Sequence, residues 1–142
     1  MARRSSTTRC AEQRAKAASR PAGSRAERGA AAEQAAADYL AGRRHSILLR
    51  NYRCRMGELD LVALSPEGTL VVAEVRLRSR QDYGGGAASV DHRKQQRLLR
   101  ASLHLLATHP RWARHPMRFD VLDIRPASTG FEIHWIQHAF SA

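Results

Sequence analysis

The chain has 142 residues and a net charge of +11, from Lys+Arg 24 against Asp+Glu 13. A hydrophobic content of 43% excludes wholesale disorder, and there is no run of about 18 apolar residues to span a membrane. Two cysteines, Cys10 and Cys54, make neither a disulfide framework nor a paired zinc site, so the expected setting is a reducing cytoplasm. The charge points to a polyanionic partner and by itself leaves DNA, RNA and an anionic membrane surface open; with no spanning segment, DNA is the expected partner and no membrane role is expected.

Residues 1–28 carry eight Arg and Lys against Glu12 and Glu27, set among Ala, Ser and Thr without aliphatic periodicity. Nothing there offsets the entropy of ordering, so the segment reads as a disordered basic arm ahead of a domain at 29–142. Two roles stay open for it, a nonspecific nucleic-acid tether and an inert extension. Ser24-Arg25-Ala26-Glu27 fits a capping box, and the alanine-rich stretch from Gly29 to Ala41 predicts a helix stopped by Gly42. Ile47-Leu48-Leu49, running into Asn51-Tyr52-Arg53, predicts a first strand. Gly57 to Leu64 alternates at its start and is wholly apolar at its end, as in a strand passing from an exposed to a buried environment. Ser65-Pro66-Glu67-Gly68 is a turn, and Thr69 to Leu77 closes a hairpin.

Ser79 to Gly86 reads as a polar loop ending in three glycines, with no Walker lysine after them. Ser89 is placed to cap a second helix from Val90 to Thr108. Its apolar face holds Leu98, Leu99, Leu103, Leu105 and Leu106; the opposite face holds Arg93, Lys94, Arg97 and Arg100, a basic stripe suited to a nucleic-acid backbone. Pro110 and Pro116 bracket a linker holding Trp112, which is expected in the core, as is Trp135. Met117 to Ile124 and Gly130 to Ile136 are two further strands. The order α-β-β-β-α-β-β describes an α/β fold with one central mixed sheet flanked by helices. The seven histidines show no HExxH or paired zinc spacing, and Cys54 reads as a buried thiol rather than a nucleophile.

Three acids resist a solvated-surface account. Glu58 and Asp60 are two apart on one strand, so both are expected on one face. Glu74 lies within Val71-Val72-Ala73-Glu74-Val75, where a carboxylate is costly unless paired or bound to a metal. Folding the hairpin about Glu67-Gly68 sets Asp60 beside Glu74, within one residue of register. Two such carboxylates form a hard oxygen site suited to Mg²⁺ or Mn²⁺, and Arg76, on the same face as Glu74, adds a cation. The alternative is a structural salt bridge from Arg76 to either acid.

The pattern Asp60…Glu74-Val75-Arg76 resembles the D…E-x-K signature of the restriction-endonuclease-like superfamily, which includes archaeal Holliday-junction resolvases. More closely, several stretches are similar to the YraN-type family of small uncharacterised bacterial proteins. They are Glu33…Tyr39-Leu40, the run from Ile47 to Arg55, Gly57-Glu58-Leu59-Asp60-Leu61-Val62-Ala63, the run from Val72 to Arg78, Ala88-Ser89-Val90 with Lys94 and Leu98, and Arg118-Phe119-Asp120-Val121. The resemblance covers the chain from about Gly29 onward. It implies a restriction-endonuclease-like fold and a metal-dependent nuclease-like activity on DNA, with Asp60, Glu74 and Arg76 as its catalytic residues. It also implies Asp60 and Glu74 as ligands of Mg²⁺ or Mn²⁺, the Val75 carbonyl as a third oxygen, Glu33 reaching the ion or its waters, Glu58 as an alternate or outer ligand, and a homodimer by analogy with the resolvases.

One departure matters. The family has lysine where this chain has Arg76, and arginine does not give up its proton. Arg76 can stabilise charge but cannot act as a base. Lys94, the one lysine after Lys16, either reaches the site from the second helix or faces solvent and phosphate. Three readings follow: a nuclease acting on branched or damaged DNA, a nucleic-acid-binding module weakened in catalysis by Arg76, and a structural or partner-binding domain with its acids locked in salt bridges.

Overall fold

A computed structural model describes residues 24–78 and 90–141. The chain divides into two units, residues 1–30 and 31–142. Residues 1–23 of the expected arm, the glycine loop and Ser89 lie outside the described residues. Helix α1 (Arg25–Gly42) starts within the 1–28 segment, and its capping box forms as expected. Ser24 N–H donates to Glu27 Oε2 at 3.3 Å, and Glu27 N–H donates to Ser24 Oγ at 3.2 Å. Gly42 does not stop the helix from outside, because it is the last helical residue. The left-handed position falls to Arg44 (φ 64), and the His45 N–H returns to the Leu40 carbonyl at 3.0 Å.

Five strands follow: β1 (Ser46–Cys54), β2 (Gly57–Leu64), β3 (Leu70–Leu77), β4 (Met117–Pro126) and β5 (Phe131–Phe140). They lie in the sheet in chain order, and all neighbours are antiparallel except β3 and β4, which are parallel. A parallel pair needs a crossover, and helix α2 (His92–Thr108) with a 3₁₀ turn (Pro110–Arg114) lies between those two strands in the chain. The expected mixed sheet between helices is what the residues form.

Each face of the sheet has its own core. On one face Ala32, Ala36, Ala37 and Leu40 of α1 pack with Leu61, Ala63, Val71, Ala73, Leu122 and Ile124. On the other, Leu98, Ala101 and Leu105 of α2 pack with Leu59, Val62, Leu70, Val72, Phe119, Val121 and Trp112. Leu103, expected on the apolar face of α2, is exposed. Asp91 caps α2 in place of Ser89, its Oδ1 accepting the Lys94 N–H at 2.9 Å. No helix among the described residues is long and apolar enough to cross a membrane.

Asp120 is buried on β4, where the register against β5 slips between Phe119 and Val121. Its carboxylate receives Arg118 Nε at 3.1 and 3.2 Å, Trp135 Nε1 at 2.9 Å and the His138 N–H at 3.1 Å. It thereby satisfies an amide that the bulge removes from the ladder. Asp120 therefore holds the β4–β5 join, and Trp135, expected in the core, is partly buried against it, edge-on to Tyr39 and His45. Replacing Asp120 by Ala strands all of these donors. The expected cost is about 3–5 kcal/mol, read as a lower denaturant midpoint, and Asp120→Asn should cost less because it keeps an acceptor.

Candidate functional site

The β2–β3 ladder runs from Leu64↔Leu70 to Leu61↔Ala73 and ends there. Beyond that point β2 stays paired with β1 as far as Cys54↔Gly57, and β3 stays paired with β4 as far as Leu77↔Ile124. The sheet forks. One more step of the β2–β3 register sets Asp60 opposite Glu74, so the two acids stand at the mouth of the fork. The hairpin arithmetic was right to within its one-residue margin.

Two features turn the start of β2 away. Asn51 of β1 adopts φ 53, and Gly57 adopts φ 152, a conformation other residues rarely take. A Cβ on Gly57 would lie 3.4 Å from the Arg97 carbonyl oxygen of α2. Alternation consequently breaks at Asp60: Leu59 and Leu61, two apart, bury in opposite cores. The same break corrects the expectation that Glu58 and Asp60 share one face. Glu58 is exposed and pairs with Arg53 Nε at 3.4 Å across the β1–β2 hairpin. Its sequence position beside Asp60 does not bring it to the fork as an alternate ligand.

At the fork, Asp60 Oδ2 accepts the Val75 N–H at 2.9 Å. Glu74 is buried, and its Oε1 receives the ammonium of Lys94 from the first turn of α2. Glu33 on α1 accepts from Asn51 Nδ2 at 3.2 Å, and its charge is felt by Asp60. Arg76 lies two past Glu74 on β3, in register with Asp123 of β4. Burial, then the negative charge of Glu74, push the Asp60 carboxyl up to about 7, against the lowering effect of the Val75 N–H. The charge of Glu33 and a hydrogen bond to Glu74 add to the rise.

The site thus joins Asp60, Glu74, Val75 and Lys94, with Glu33 nearby. Among the described residues no group of three or more His, Cys, Asp or Glu forms a ready metal cage. The oxygen donors are two carboxylates and backbone, a hard set that fits Mg²⁺ or Mn²⁺ better than a soft metal. The sequence allows Lys94 either the phosphate-facing stripe or the site; the structure brings it to Glu74. The signal in the sequence is thin: Lys94 is the domain's only lysine, one turn into a helix that packs on β2 and β1. Arg93, Arg97 and Arg100 stay on the outer face, lining a shallow depression with His92 and Gln96 and no acid among them.

The model of the Uncharacterised protein family UPF0102 matches residues 32–124. The chain belongs to this family. The YraN-type resemblance was to this same group. A UPF0102 protein of Alcanivorax borkumensis is 51% identical over 110 residues, covering 77% of this chain and 87% of the relative. Another, from Halorhodospira halophila, is 48% identical over 114 residues, covering 80% and 87%. Among solved structures, Pyrococcus furiosus SfsA in complex with Ca²⁺ overlaps this UPF0102 chain with a TM-score of 0.26 at 13% identity, covering 74% of this chain and 58% of that one; so slight an overlap carries no argument.

An acid with a raised pKa binds its proton more tightly in the folded state than in the unfolded one, where Asp titrates near 3.9. That contribution to stability is complete below about pH 4 and is lost as pH rises to about 7. Asp60→Asn removes it. The melting temperature of the variant minus that of the native chain should therefore rise between pH 4 and 7 and level off above, as read by thermal melts across that range.

Proposed function

We propose that this UPF0102 chain is a metal-dependent nuclease-like domain that hydrolyses phosphodiesters in DNA, with branched or damaged DNA as its substrate class. The observation that carries the reading is the fork: Asp60 and Glu74 meet there on diverging strands, beside a lysine and next to an arginine-lined face. Asp60, Glu74 and the Val75 carbonyl would hold Mg²⁺ or Mn²⁺, with Glu33 close enough to act on its waters. When bound, such an ion gathers the charge of the phosphate, acidifies a water and stabilises the leaving oxygen.

The chain's own residues have distinct parts to play. Val75 N–H fixes the orientation of the Asp60 carboxyl. Burial of Glu74 keeps its carboxylate in a low-dielectric setting, where a charge partner counts for more. Arg93, Arg97 and Arg100 offer the sequence-independent phosphate contacts that position a duplex. Arg76 supports a second reading, a binding module with little turnover, because a guanidinium cannot pass protons.

With Mg²⁺ or Mn²⁺, the purified chain should cut a branched duplex faster than a linear one, and Asp60→Ala or Glu74→Ala should abolish the cut. Gel assays read this directly. Cleavage persisting in both variants would mean a contaminating nuclease and would end the nuclease reading. Salt-sensitive binding without cleavage, restored to cleavage by Arg76→Lys, would establish the second reading instead.

A further inference from the structure

Lys94 and a divalent ion would need the same carboxylate. Its Nζ meets Oε1 of Glu74, whose side chain is 7% exposed, while that of Lys94 is 40% exposed. The backbone of residue 94 is pinned: its N–H donates to the capping Asp91 Oδ1 at 2.9 Å, and the acid is held below its ordinary range chiefly by that bond. The ammonium is held through its pair with Glu74 and not through the backbone. It ends a flexible four-carbon stem at the junction of two surfaces. Behind it is the acidic fork. Beside it, on the same helix, His92, Arg93, Gln96, Arg97 and Arg100 line the depression where a phosphate backbone would lie.

We propose that Lys94 is a cation that exchanges partners: it pairs with Glu74 when no divalent ion is bound and turns onto a DNA phosphate at the fork when the ion takes Glu74. The inference rests on the metal-dependent, DNA-directed reading above and gives the site a regulation of its own. A vacant site is neutralised from within, and the ammonium is released to the substrate only when the ion is in place.

The test compares Lys94→Gln and Lys94→Arg with the native chain, using Mn²⁺ alone for ion binding by electron paramagnetic resonance. A fluorescent branched duplex reports DNA affinity by anisotropy, once in EDTA and once in Ca²⁺. Lys94→Gln should bind Mn²⁺ several-fold more tightly, because a competitor for Glu74 is gone. It should bind the duplex about tenfold more weakly in Ca²⁺, the worth of one charged hydrogen bond, and no more weakly in EDTA. Lys94→Arg should recover most of the loss in Ca²⁺, which separates charge from damage to the fold.

An equal loss in EDTA and Ca²⁺ would make Lys94 a fixed phosphate contact, and no loss in either would make it a structural pair. Each result overturns the exchange. If the native chain cleaves DNA and Lys94→Gln cleaves equally well, the exchange fails and the nuclease reading stands. If the conditional loss is seen without any cleavage, the exchange stands and turnover fails. A native chain that binds no Mn²⁺ ends both.

Discussion

The amide of Val75 has to find an acceptor. Strand β3 is committed to β4 along its whole length, and β2 leaves it after Leu61↔Ala73. A strand edge opened inside a sheet exposes donors that the ladder would have satisfied, and a buried donor without a partner costs about 1–3 kcal/mol. The Asp60 carboxylate fills that role at 2.9 Å. The consequence is that an acceptor sits at the fork, and its neighbours are arranged around it: Glu74 opposite, Lys94 paired with Glu74, Glu33 bonded to Asn51. The same solution recurs at the β4–β5 bulge, where Asp120 takes the His138 amide. There Arg118 and Trp135 occupy the carboxylate fully, and nothing is left over for chemistry.

Charge is sorted by depth. Residues 29–142 carry sixteen Arg and Lys against eleven Asp and Glu, a modest excess. Three of those acids, Glu74, Asp120 and Asp123, are buried, the last against Arg78 at 3.2 Å. Arginines such as Arg93, Arg97 and Arg100 stay outside. Each of the three buried acids has a cation of its own: Lys94 on Glu74, Arg118 on Asp120 and Arg78 on Asp123.

Much of this was legible in the residues. Alternation and turn chemistry gave every strand between Ser46 and Phe140, although β5 runs four residues past the expected Ile136 because its bulge interrupts the pattern. Asp60 and Glu74 were legible because an apolar strand tolerates a carboxylate only for a reason. The face of Glu58 was not, since it depends on the backbone twist at Asn51 and Gly57, where single positive φ values undo the period of two. Asp91 displaced Ser89 as the cap and Arg44 displaced Gly42 at the helix end, both by shifts of two residues that local propensity does not resolve. Lys94 illustrates a different gap: its stem reaches across from another element, and contacts of that kind are set by packing rather than by spacing.

Asp60 is tied into the backbone as well as into the site. A carboxylate that accepts a backbone amide can be kept for the fold alone, whatever chemistry its site supports. The paired acids alone are thus a poor record of what a relative does.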